Sequence, residues 1–194
     1  MSHTVTTKAR FRDINAADAA CNALGWKLLR GKTTHRWFGR WVGDYPLPEG
    51  VKREELGKCA HAIQVPGARY EIGLVETPEG YKPVWDFWKD GGLSQDAGDR
   101  LAAEYNVIHA EHVAQEQGWL TERDGSALLI HVPTSVAGFA GQGGTIRVEG
   151  KTVDATGFMG VGCKEAIDTL GLVYESVTAK PEYLATPVAV ERTK

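Results

Sequence analysis

Cys163 directly follows Gly157-Phe-Met-Gly160-Val-Gly162 and stands where a helix would begin. A thiol there feels the positive end of the helix dipole, which favours thiolate. The glycines also leave backbone N–H groups free to hold an anion, so Gly160, Gly162 and Cys163 form a candidate anion-binding turn. The competing reading is a small buried residue packed with Ala166 and Ile167. No His or acid stands at a recognisable partner spacing, and the glycine pattern follows no Rossmann βαβ unit. His109 and His112 are spaced i, i+3, so on a helix their rings could converge on one metal ion. Cys59 and His61 share one face of an alternating stretch and could complete such a set. The alternative is a hydrogen-bonded core histidine. Asp86, between Trp85 and Phe87, is a candidate base raised in pKa by apolar neighbours. No second carboxylate is spaced to work with it, and no Ser-His-Asp elbow or P-loop occurs. None of these groups completes a catalytic set, and no cofactor is implied.

A different chemistry is written in residues 26–41. Lys27, Arg30, Lys32, Arg36 and Arg40 are interleaved with Trp26, Trp37, Phe38 and Trp41, with no acid among them. Arg30, Lys32, Arg36, Trp37, Arg40 and Trp41 could stack bases and hold the phosphates of a single strand, or grip an acidic protein surface. The plainer reading is a strand over 33–42 with Trp37 and Trp41 inside and Arg36 and Arg40 outside. The net charge of the whole chain is −3, which argues against nucleic-acid binding by bulk electrostatics.

The elements that must position these groups follow from periodicity. Val5 to Arg12 alternates as a half-buried strand. Asn15 can cap a helix whose buried stripe is Ala17, Ala20, Cys21 and Leu24, ended by Gly25. Cys59–Val65 reads as a strand. Tyr70–Trp88 reads as a hairpin about Thr77-Pro78-Glu79-Gly80, where Pro fits the second turn position and Gly an unusual φ. A long helix from about 95 to 117 starts at Ser94 and ends at Gly118, with Leu101, Tyr105, Ile108 and His112 on one face. Ala127–Val132 is a further strand. Four glycines in Gly138–Gly144 make residues 135–144 a linker. Beyond it, two strands, a helix from Cys163 to Leu170 and a last strand form a small unit.

The expected class is α+β: an antiparallel sheet packed by two helices over 1–134, followed by a small ββαβ unit at 145–183 and a tail, 184–194. A split βαβ, ferredoxin-like arrangement is one form the first domain can take. The 194 residues suffice for one large domain or a domain with a small companion. No apolar run reaches the length that spans a bilayer, and the first residues lack a signal-peptide core; the expectation is a cytoplasmic protein with reduced thiols and no membrane partner.

Met1-Ser-His3, Tyr70-Glu-Ile-Gly73, Tyr81…Trp85-Asp86…Trp88 and Gly118-Trp119 resemble a family of uncharacterised proteins that includes a small conserved reading frame of red-algal plastids and cyanobacteria. Residues 144–183, through Gly157-Phe-Met-Gly-Val-Gly-Cys163, Leu170-Gly171 and Pro181-Glu-Tyr183, resemble a second small family of unknown function. Genes of the two are often neighbours in bacteria and phages, commonly near one for an AAA-type ATPase. The resemblance therefore implies a non-enzymatic adaptor that binds a protein partner, such as an AAA-type ATPase system. The alternatives are a thiol- or metal-dependent enzyme centred on Cys163 or His109/His112, and a single-strand binder using 26–41. The long 43–58 segment and the basic, Trp-rich 26–41 stretch depart from the first family's pattern.

Overall fold

The computed structural model describes residues 4–6, 9–41, 43, 46–47, 51–137, 143–158, 162–172 and 176–180. The chain is α+β, with two five-stranded sheets and helices between and beside them. Among the described residues, no helix is long and apolar enough to cross a membrane.

The first sheet runs β1 (Thr4–Thr6), β5 (Gly80–Asp86), β4 (Glu71–Thr77), β3 (His61–Gln64) and β2 (Lys27–Arg30) across its width. Every neighbouring pair is antiparallel, and β1 and β2, joined through the first helix, lie at opposite edges with three strands between them. The hairpin closes where the turn chemistry places it, with Thr77 opposite Gly80. Gly80 has φ +123°, and a Cβ there would lie 2.8 Å from the Phe11 carbonyl oxygen, so a side chain is excluded twice.

Helix α1 (Ile14–Ala23) buries Ala16, Ala17, Ala20 and Cys21 against this sheet's core. Its cap is Asp13, whose carboxylate accepts the Asn15 N–H at 2.7 Å, rather than Asn15 itself. Helix α2 (Ala97–Glu116) corrects the expectation of one apolar face. Leu101, Ala102 and Tyr105 join the core of the first sheet, while Val107, Ala110 and Ala114 join a second core. A helix held on two sides shows no clean amphipathic stripe, and His112, placed on the expected buried face, is 46% exposed.

The second sheet runs β10 (Ser176–Lys180), β9 (Thr152–Thr156), β8 (Gly144–Glu149), β7 (Ala127–Val132) and β6 (Leu120–Asp124). Its last part, β8–β9–α4–β10 with α4 at Gly162–Leu170, is the expected ββαβ unit, and the crossover makes β10 parallel to β9. The sheet does not stop there. β7 pairs with β8 from Leu128–Val148 to Val132–Gly144. The division expected at 135–144 therefore falls inside one sheet, and that stretch, with the short helix α3 (Thr134–Ala137), connects two paired strands. Residues 138–142 and the tail from 181 lie outside the described residues. The β8–β9 turn is tied to α2 by the buried Asn106, whose amide donates to the Gly150 carbonyl at 3.0 Å, and by a Lys151–Asp99 ion pair at 3.0 Å.

Candidate functional site: charged groups buried beneath a basic strap

Alternation in β4 sends Ile72 and Leu74 into the helix-covered core and Glu71 and Gly73 to the opposite face. The β4–β5 register puts Val84 opposite Gly73, so Lys82, Val84 and Asp86 share that second face. It is not open to water: Glu71 and Asp86 are 0% exposed and Lys82 is 8% exposed. Residues 31–41 lie over it as a strap, with 57 and 58 returning beside them. Among the described residues, no strand forms in the 33–42 stretch. Its one isolated bridge among the described residues joins Thr34 and Lys58, the Glu71 N–H donates to the Arg36 carbonyl at 2.8 Å, and side chains supply the rest of its hold on the sheet.

Three attachments do so. The Lys32 ammonium donates to both oxygens of Glu71 at 2.7 and 2.6 Å. The Arg36 N–H donates to Glu71 at 2.8 Å and its guanidinium Nε lies 3.1 Å from the same carboxylate. Next, His35 sits directly on Gly73. A Cβ on Gly73 would come within 2.2 Å of His35 Nδ1, so glycine is what lets the ring approach the sheet this closely. Finally, Asp86 accepts the Phe38 N–H at 3.3 Å and the Trp88 N–H at 3.0 Å.

The charges are tuned by this burial. Burial alone would raise the Glu71 pKa, but the hydrogen bonds from Lys32 and the Arg36 backbone outweigh it and hold the carboxyl below its usual value. Burial pushes His35 down to about 4, against the opposing pull of the Glu71 charge. The ring is therefore neutral at pH 7, and its Nδ1 has no hydrogen-bond partner. Cys59 donates its thiol to the Lys32 carbonyl at 3.0 Å, and burial pushes it up to about 11.

The cations singled out in the sequence are thus mostly spent inside the molecule. Arg30 pairs with Asp18 at 2.8 Å and donates to Asn15, while Lys32 and Arg36 serve Glu71. Trp26 is buried with Arg100 over its ring, and Trp37 packs where a Gly57 side chain would stand. Trp41 is half-buried beneath Arg53. Phe38 and Arg40 remain on the outer surface of the strap. Beside it, Lys27, Arg36 and Gln64 line an open cleft of about 290 Å³, walled by Val65 and Pro66.

The other candidates are not brought together. His109 stacks on Tyr105, with ring centroids 5.0 Å apart, and burial lowers its pKa, while His112 points to Asp13 at 4.0 Å. His61 accepts the Gly31 N–H through Nδ1 and meets Tyr81 edge-on. Among the described residues no group of three or more His, Cys, Asp or Glu is placed to hold a metal ion. Cys163 packs against the second core, and burial raises its thiol pKa, opposite to an activated thiolate. Gly160 lies outside the described residues; a Cβ on Gly162 would lie 2.5 Å from the Val136 carbonyl oxygen, so this glycine serves the close approach of α3 and α4. Asp86, fully buried and accepting two backbone N–H groups, is a structural anchor for the strap.

Sequence reasoning missed Glu71 and His35. The available signal was a lone acid in an apolar strand, Tyr70-Glu-Ile-Gly-Leu-Val75, together with a basic run that had no acid of its own. The chain matches no protein-family model, no curated protein and no solved structure.

Proposed function

We propose that the chain is a non-enzymatic protein-binding module that presents its strap to a partner, such as an AAA-type ATPase assembly. The observation that carries this reading is the fixed display of Phe38 and Arg40. The backbone leading into them is pinned at Arg36 by Glu71 and at Phe38 by Asp86, yet both side chains face outward. Aromatic and arginine side chains on a pre-organised backbone are what interface hot spots are made of, because little conformational entropy is lost on binding. The resemblance of residues 1–132 and 144–183 to families whose genes neighbour one another supports the same reading. The internal pairing of Arg30, Lys32 and Arg36 weighs against the single-strand alternative, and the raised Cys163 pKa weighs against the thiol-enzyme alternative.

The test is affinity capture from the native host with wild-type protein and with the double variant Phe38→Asp, Arg40→Glu. The variant is expected to fold, since both side chains face solvent, and to lose a partner that the wild type retains. The retained partner is then assayed for ATP hydrolysis with and without the chain. Identical capture by the two proteins would remove the strap as the interface.

A further inference from the structure

The cleft beside the strap has the makings of an anion site that the partner-binding reading does not itself specify. Lys27 opens β2, an edge strand with no neighbour on its outer side among the described residues. Its ammonium has no ion-pair or hydrogen-bond partner among the described residues. Arg36 is held differently. Its Nε lies 3.1 Å from the buried Glu71 carboxylate, an ion pair that holds the guanidinium at the cleft while the side chain stays 56% exposed. Gln64, opposite Lys27 in the β2–β3 register, leans on the same carboxylate at 3.4 Å. Lys32 and Arg36 share one acid, Glu71, and Lys27 lines the cleft beside them, so this corner carries a cationic excess among the described residues.

We propose that the Lys27–Arg36–Gln64 cleft binds a carboxylate of an extended acidic segment of a partner protein, which adds to the first sheet as a strand along β2. The inference rests on the partner-binding reading above and names the chemistry of the partner. Strand addition satisfies the backbone groups on the outer edge of β2, and one acidic side chain of the guest reaches the guanidinium that the Glu71 ion pair holds at the cleft. Val65 and Pro66 offer an apolar wall for the methylenes of that side chain. A nucleic acid fits less well, because its backbone cannot pair with a strand edge and two cations are few for a phosphate chain.

The experiment uses an acetylated, amidated hexapeptide of alternating Glu and Val, titrated into the intact protein and followed by amide chemical shifts. The expected result is a saturable shift of residues 27–30, 36 and 64, with affinity reduced about tenfold by Arg36→Gln and by Lys27→Gln, as for the loss of one charge-assisted contact. Lys27 is exposed, so its variant keeps the test valid where Arg36→Gln loosens the strap. Equal binding of the Gln–Val peptide would overturn the carboxylate claim. Inorganic phosphate shifting residues 36 and 64 while the peptide moves nothing along 27–30, or an oligothymidylate that outcompetes the peptide, would overturn strand addition by a protein. A cleft that binds no peptide while the strap still retains a partner sinks this inference alone. A cleft that binds the peptide while the strap variant captures as wild type does sinks the strap interface alone.

Discussion

Two three-membered ion clusters sit on the faces of the two sheets that point away from their cores, at similar distances. On the first sheet, Glu71 meets Lys32 and Arg36; on the second, Arg147 meets Asp124 at 2.5 Å and Glu149 at 3.2 Å. The difference is water at the carboxylates, for the cations are comparably open: Lys32 is 33%, Arg36 56% and Arg147 34% exposed. Glu71 is 0% exposed, whereas Asp124, Glu149 and Arg147 are 61%, 52% and 34% exposed. A solvated pair gains little over its separated ions, while a buried charge that loses its partner keeps the full cost of desolvation. The second cluster is therefore a wet surface, and the first is a fastening.

Removing a fastener is the harshest way to break this contrast. Lys32→Met leaves Glu71 buried with Arg36 as its remaining cation and is expected to cost about 3 kcal/mol in urea unfolding, the low end for a broken buried pair. Accelerated proteolysis within 32–58 should accompany it. Gly73→Ala tests the fit rather than the charge. With His35 Nδ1 only 2.2 Å from the new methyl carbon, overpacking of about 2 to 3 kcal/mol is expected, and normal stability would mean the ring is not seated on the sheet.

Acid probes the same seat without mutation. The ordinary value for His35 is 6.5 and its folded value about 4. Between these the unfolded chain binds the proton and the folded chain does not, so stability is fully present above pH 6.5 and is lost as pH falls toward 4. By pH 5 the loss from His35 amounts to about 2 kcal/mol. His109, also lowered by burial, adds a loss of the same sign, and Glu71 contributes its own only below its ordinary value of 4.5. Urea unfolding at pH 7 and pH 5 should show a clearly smaller difference in His35→Gln than in the wild type. The smallest effect belongs to the wet cluster: Arg147→Ala should leave the melting temperature within error. A drop comparable to that of Lys32→Met would erase the distinction between the two faces.

The hairpin, the glycine ends of the helices and the strands at 127–132, 145–149 and 152–156 were legible because each is specified by residues within one element. Gly25, Gly118 and Gly171 all take the positive φ that a helix end uses. The strap was not legible. Its alternation of Trp37, Gly39 and Trp41 against Arg36 and Arg40 mimics a strand, yet its position is set by Glu71, which lies 39 residues from Lys32. Nothing local distinguishes a basic residue that faces water from one that reaches a buried acid. β6 was missed for a related reason: Leu120-Thr-Glu-Arg-Asp124 has one large apolar residue, and that one is 74% exposed. Its strand state comes from pairing with β7 and not from its own composition.

The shared helix α2 also has a consequence for how the chain is made. During synthesis the first sheet and α2 leave the ribosome together, but the flank of α2 carrying Val107, Ala110 and Ala114 waits for strands that follow it. β6 and β7 then stand as a lone hairpin with an open edge until β8 arrives across the glycine-rich connection. The late strands therefore close a surface that is already exposed on the nascent chain, and a product halted near residue 134 would be sticky rather than a smaller working protein.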